Sequence, residues 1–340
     1  MLEQFGRWRG KWIIVAAVIA GPGENVLKLR SDLLAKVRNV LSRSEFTYCE
    51  IRGHADSNFD TVARRDQDLV LVRALLRRSD LDREGAKNIK VLSGVLRAAP
   101  ILVMPSRSEG ELSDGVLYLR YGIPMMTFNT LRDHLVEEVP PLIFHGPGGF
   151  YVSIDGQAMR DRRESLGYSL GALAEVIGVS RKAIQMYEAG MGSSVDIGIK
   201  LEEILTEPLI KPLDPFSYSD NLQQIRDSLD GLDSIKREVF DHLDSIGMEV
   251  IPTMSCPFDA LTITRRDRLL TSVEGAKEMV RNRIEILSDI SRITNNSSVL
   301  IVTGRSRYRN IKGTPVIGMK EVKKARDPKE LLEMIRERSD

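Results

Sequence analysis

Apolar residues recur at helical spacing through "VLKLRSDLLAKVRNVL", at Leu29, Leu33, Leu34, Val37, Val40 and Leu41. That period predicts an amphipathic helix opening near Val26. The period then changes. "EFTYCEIRG", "NFDTVARR" and "DLVLVRAL" alternate or run apolar over short stretches, as strands do, and a polar turn at Asp66–Asp68 joins the last two. "REGAKNIKVLSGVLRAA" returns to the helical period, with Pro100 expected to close it. "ILVM" reads as a short buried strand, "GVLYLRYGIPMMTF" as further strand, and "NTLRDHLV" as a helix capped by Asn129. The order α-β-β-β-α-β predicts an α/β sheet unit over residues 28–145.

The pattern breaks at "FHGPGGFYVSIDGQAMR". "GPGG" at 146–149 reads as a linker turn rather than a phosphate cradle, and "FYVSI" with Asp155-Gly156 as a strand and turn into a new helix. Residues 158–205 are helical in pattern, so a helical domain is expected over 150–212. Pro208, Pro212 and Pro215 punctuate the chain beyond those helices, and 213–235 reads as a linker. A last unit, 236–338, repeats the first. Glu50 and Asp60 stand beside Glu249 and Asp259, each 199 positions further on. "VLSGVLR" matches "ILSDISR", "ILVMPSRS" matches "VLIVTGRS", and "GIPMM" matches "GTPVIGM", all in one order. The expected fold is therefore α/β plus all-α: two similar α/β domains flanking a central domain of four to five helices. Residues 1–27 stand apart. Their basic, apolar and small residues resemble a weak signal peptide, yet Trp12–Ala20 is too short to span a bilayer as a helix. A buried strand and an extension outside the fold both fit; the helix from Val26 favours the extension.

Charge narrows the chemistry. The 340 residues carry 49 Lys and Arg against 48 Asp and Glu, so any binding to nucleic acid must be local. Cys49 and Cys256 allow no disulfide framework and no zinc spacing, which fits a cytoplasmic protein. His54, His134, His145 and His242 are scattered and form no metal motif. No Ser/His/Asp order, Walker loop or GxGxxG is present, and no cofactor is expected.

The centre of the chain carries the chemistry. In "MRDRRESLGYSLGALAEVIGVSRKAIQMYEAG", Arg163, Glu164 and Gly167 end one helix, and Ser169 caps a second containing Leu173, Ala174 and Ile177. Gly178 makes a turn that suits glycine. Ser180 caps a third helix whose Ile184 and Tyr187 face inward, and "VDIGIKLEEIL" supplies a fourth. The stretch resembles the helix-turn-helix of Cro and lambda-repressor-like (XRE-type) regulators, with the motif over 170–189. The resemblance implies that the third helix enters the DNA major groove by its first residues. Those are Ser180, Arg181, Lys182 and Gln185, with Met186 at the rim. Arg can fork onto guanine and Gln onto adenine, while Ser169 and the free N–H groups beside it suit a phosphate. Residues 28–340 as a whole resemble a family of archaeal helix-turn-helix proteins provisionally assigned to transcription. That likeness implies a transcription-regulatory role and brings no effector or operator with it. One helix-turn-helix reads few base pairs, so a homodimer on a double-stranded, pseudo-palindromic operator is expected.

The α-β-β-β-α-β order resembles the restriction-endonuclease fold, in which two carboxylates hold Mg²⁺ and a lysine aligns water. Glu50 and Asp60 could supply carboxylates. The third strand departs from the pattern, placing Leu71 and Arg73 in the first copy and Leu270 and Ser272 in the second. The expectation is a non-catalytic fold, with Asp60 and Asp259 in strand-end roles. A DNA-processing nuclease guided by the helices and a transcription bridging factor are the alternatives. One basic loop, "GRSRYRNIKG", sets Arg305, Arg307, Arg309 and Lys312 around Tyr308 and reads first as a solvated loop.

Overall fold

The computed structural model describes residues 22–51, 57–106, 112–217, 233–265, 267–274, 280–304 and 308–339. The expectations for residues 1–21, for His54, and for Arg305 and Arg307 lie outside these. The first unit opens with helix α1 (Pro22–Arg43), which buries Leu33, Val37, Val40 and Leu41 as one stripe. Strands β1 (Thr47–Glu50), β2 (Thr61–Arg65) and β3 (Asp68–Ala74) come next as antiparallel neighbours. Helix α2 (Arg83–Leu96), capped by Asp82, crosses to β4 (Ala99–Met104), which runs parallel to β3 and is buried along its whole length. Strands β5 (Val116–Arg120) and β6 (Ile123–Thr127) form a hairpin, with β6 parallel to β4. Helix α3 is Phe128–Val136.

Two local expectations shift. Pro100 does not close α2; Arg97 does, in the left-handed region, and Pro100 lies inside β4 opposite Leu71. The cap of α3 is Thr127, whose hydroxyl accepts from the Thr130 N–H. Asn129 sits inside that helix and spends its side chain on Asp114 at 2.9 Å.

The last unit has the same strand order. Helix α8 (Ser234–Ser245) precedes β11 (Glu249–Pro252), β12 (Ala260–Ile263) and β13 (Arg268–Glu274). Helix α9 (Val280–Thr294) crosses to β14 (Ser297–Val302), then come β15 (Asn310–Ile311) and β16 (Thr314–Gly318), and helices α10 (Met319–Val322) and α11 (Pro328–Arg336) close the unit. The sheet runs β11-β12-β13-β14-β16-β15, as the first runs β1-β2-β3-β4-β6-β5. Register pairs match: Thr61 faces Val72 as Ala260 faces Thr271, and Leu102 faces Met125 as Leu300 faces Val316. The glutamates do not match. Glu50 faces Thr61, whereas Pro252 faces the corresponding Ala260, and Glu249 faces Ile263 further along the strand. The connection between the first two strands is three residues shorter in the second unit, so the two Glu-to-Asp spacings agree while the positions do not.

The two units share a core. Phe59, Leu71, Leu92 and Val95 of the first pack with Phe258, Leu270, Leu287 and Ile290 of the second. Polar bonds cross the seam reciprocally: Arg64 Nε donates to the Ile293 carbonyl at 2.5 Å at the end of α9, and Arg268 donates to the Val95 carbonyl at 2.8 Å near the end of α2. Asn58 adds bonds to the carbonyls of Met254 and Ser255 at 2.7 and 3.0 Å.

The central domain is joined to the first unit more firmly than a linker turn implies. Strand β7 (Ile143–Gly146) lies parallel to β5, and β8 (Gly149–Ile154) returns beside it, so "GPGG" is a hairpin turn with Gly148 and Gly149 at positive φ. Helices α4 (Gly156–Ser165), α5 (Leu170–Ile177), α6 (Arg181–Glu188) and α7 (Val195–Leu205) pack on β8 through Val152, Ile154, Leu173, Ile184 and Leu201. The short strands β9 (Ser193–Ser194) and β10 (Ile210–Lys211) also pair with β8. The residues expected to begin a free linker are fastened down: the Leu213 N–H donates to Pro141 at 2.9 Å, and Phe216 meets Phe46 edge-on at 6.3 Å. Both ends of the helical domain are thus tied to the first unit. Of the rest of the expected linker, 218–232 is outside the described residues, and its last residues are not linker: Asp233 caps α8, which Ser234 and Ile235 begin.

Candidate nucleic-acid interface

Two short helices fold here because their ends are satisfied locally. Ser169 accepts from the Ala172 N–H at 3.0 Å and Ser180 from the Ala183 N–H at 3.1 Å. Gly178 ends α5 at φ +85°, and the N–H groups of Gly178 and Val179 both return to the Ala174 carbonyl at 2.9 Å. The buried stripe of α6 is Ile184, Tyr187 and Glu188, while Arg181, Lys182, Gln185 and Met186 occupy the opposite, exposed face. Spacings of three and four make those residues one contiguous surface. Among the described residues, the side chains of Arg181, Lys182 and Gln185 have no hydrogen-bond or ion-pair partner, so their donors are available. Ser169 and Ser180 are exposed too, but each spends its hydroxyl oxygen on its own cap.

A buried ion pair, absent from the sequence expectations, holds α6 in place. Arg163 on α4 donates to Glu188 at 2.5 Å and to the Tyr168 carbonyl at 2.8 Å, and Arg160 reaches the other Glu188 oxygen at 3.2 Å. The hydrogen bond that Arg163 donates to Glu188 raises its pKa and keeps the guanidinium protonated. The signal was present in the pattern: Arg163 lies four residues after buried Met159, and Glu188 four after buried Ile184, so opposite charges stood on two apolar stripes. Gly156 is required at the same contact, since a Cβ there would lie 2.3 Å from the Glu188 carbonyl oxygen. Residues 150–212 contain seven Lys and Arg and nine Asp and Glu. Acidic residues thus outnumber basic ones over the domain, and exposed Arg181 and Lys182 make the start of α6 a local cationic surface.

The nuclease-like strand ends are occupied by structural bonds. Asp60 accepts the Ala74 N–H at 2.7 Å and pairs with Arg30 at 2.5 Å, with Arg73 at 3.7 Å. Burial pushes the Asp60 carboxyl up, and Arg73 and Arg30 oppose that shift. Asp259 repeats the arrangement, accepting the Val273 N–H at 2.8 Å and pairing with Lys236 and Arg283, each at 2.8 Å. Glu50 is held by Arg38. Leu71 and Leu270 are buried where a second carboxylate would stand. Among the described residues, no group of three or more His, Cys, Asp or Glu is arranged to hold a metal. The residues present do not fit a divalent ion at either aspartate, because the oxygens that would ligate it already bind backbone and cations. Of the basic loop, Lys312 is paired with Glu285 at 2.7 Å and Tyr308 is exposed. Among the described residues, no helix is long and apolar enough to cross a membrane.

Residues 30–141 match the family model of the PD-(D/E)XK superfamily domain, and residues 159–210 match the helix-turn-helix model. A protein of Methanocella arvoryzae is 33% identical over 90% of this chain and 96% of its own length. One of Methanosarcina acetivorans is 33% identical over 91% and 97%, and one of Methanocaldococcus jannaschii 34% identical over 91% and 97%. All three are provisionally named HTH-type transcriptional regulatory proteins. No solved structure matches the chain.

Proposed function

From the premise that the chain belongs to this family of archaeal HTH-type transcriptional regulatory proteins, we propose that it regulates transcription by reading an operator with the exposed face of α6. The observation that carries this is the set Arg181, Lys182 and Gln185: three donors without protein partners among the described residues, on one face of a helix fixed from behind by Glu188 and Arg163. Arg181 and Gln185 supply forked donors to base edges, and Lys182 a point charge for phosphate. Ser169 and Ser180 mark helix N-termini whose free N–H groups favour phosphate oxygens, and Met186 borders the readout face. The α/β units serve as scaffold and not as catalyst, in keeping with Leu71, Leu270 and the ion-paired aspartates. The protein acts in the cytoplasm, where the genome is.

Two chains bind one pseudo-palindromic operator. A single unit reads few base pairs, and a second one, about 34–36 Å along the duplex, makes the next contact intramolecular. The facing surfaces of the two α/β units are spent on each other within the chain, so the chains meet elsewhere. Exposed Leu166, Val176, Met191 and Ile199 on the central domain are apolar surface available for this. Selection from random oligonucleotides tests the proposal. One enriched motif with two similar half-sites, lost with Arg181→Ala, is expected. Enrichment of no motif would turn the reading towards a bridging factor.

A further inference from the structure

The first unit and the central domain border an open cleft of about 600 Å³, a volume typical of small-molecule sites, at a domain junction where such sites concentrate. One wall is the segment leading into β5, with Asp114. The other is the β7–β8 hairpin with Phe150 and Tyr151, and the first turn of α7 with Asp196. Among the described residues, no Lys, Arg or His lines it.

Its groups are held in place. Asp114 is exposed, yet both its oxygens are oriented, one by the Thr127 hydroxyl and one by Asn129 Nδ2 at 2.9 Å, and neither partner is a cation. Tyr151 stacks on Phe144 at 5.8 Å and donates to the Pro147 carbonyl at 2.7 Å. Phe150 meets His145 edge-on at 5.5 Å, and His145 stacks on Tyr118 at 5.3 Å. Phe150 nevertheless leaves 44% of its surface open. Asp196 stands in the first turn of α7, where the positive end of the helix offsets part of its charge. Asp114 likewise faces the first turn of α3, through Thr127 and Asn129, and of the two carboxylates it is the one with both oxygens oriented.

We infer that this cleft binds a small organic monocation: an ammonium group against the Asp114 carboxylate, with an apolar body against Phe150 and Tyr151. Aromatic faces attract cations, and a carboxylate already held by neutral donors forms the ion pair with little reordering. Because the ligand touches both the first unit and the central domain, it is placed to act as effector on the orientation of α6. The binding itself does not depend on the regulatory reading.

The test is calorimetric titration of the full chain, without DNA, with phenethylamine, and in parallel with phenylacetate and benzyl alcohol. Saturable one-to-one binding of phenethylamine alone is expected, at least tenfold weaker in Asp114→Asn and in Phe150→Ala. Melting curves of both free variants, unchanged within a few degrees, show that they fold. No saturation by about 10 mM phenethylamine, equal binding of phenylacetate, or full affinity in a folded Asp114→Asn would each overturn the proposal. DNA takes no part in the assay, so such a failure leaves the operator-reading proposal standing, and the reverse holds too.

Discussion

Arg163 and Glu188, twenty-five residues apart, meet at 2.5 Å with side-chain exposures of 9% and 2%. This pair sets α6 against α4, and its energetics are asymmetric. Removing one partner leaves the other charge buried and unpaired. Glu188→Ala should therefore cost about 3 kcal/mol in chemical denaturation of the central domain. The double replacement Arg163→Met with Glu188→Leu should recover most of that loss. Equal losses in the single and double variants would show that the pair contributes through shape alone.

Readout and charge separate on α6. Arg181→Ala and Gln185→Ala should each cost about 1–3 kcal/mol on the selected operator and much less on random duplex. Lys182→Ala should weaken both duplexes alike and lower the salt slope by about one. Fluorescence anisotropy at several salt concentrations makes the comparison, and equal losses on both duplexes for Arg181→Ala would assign it to phosphate.

Neither aspartate should cut. Supercoiled plasmid incubated with the wild type and Mg²⁺ or Mn²⁺ should stay unnicked. Asp60→Ala and Asp259→Ala should lower the melting temperature, because each leaves cations and a backbone N–H without the carboxylate they bind. DNA affinity should change little. Metal-dependent nicking that either substitution abolishes would restore the enzyme reading.

His134 predicts a pH effect. Its ring lies 5.3 Å from Phe216, and its Nδ1 is buried with no hydrogen-bond partner among the described residues. Burial holds the imidazole below its ordinary value of 6.5. The folded chain then binds fewer protons than the unfolded one, so this contribution is present above pH 6.5 and is lost as pH falls towards the folded value. Melting temperatures tracked downward from pH 7.5 should fall faster in the wild type than in His134→Phe. Parallel curves would remove His134 as the cause.

The sequence by itself determined the parts whose bonds are local. Ser169, Gly178 and Ser180 bond within a few residues of themselves, so cap, turn and exposed face of α6 are set by composition and spacing. The repeat was legible for the same reason: strand periodicity and the aspartates at positions 60 and 259 recur in order. Spacing alone misaligned Glu50 with Glu249, because a shortened connection leaves the count intact while shifting the register. Only the tertiary structure decided what the apolar faces meet. Leu71 and Leu270 announce burial, and nothing in either says that the partner is the other copy. Likewise β7 joins β5, Phe216 reaches Phe46, and Arg64 finds Ile293. The hydrophobic effect scales with area and has no direction, so a pattern of burial names no partner. The partner is chosen when chain closure, strand register and shape are satisfied together.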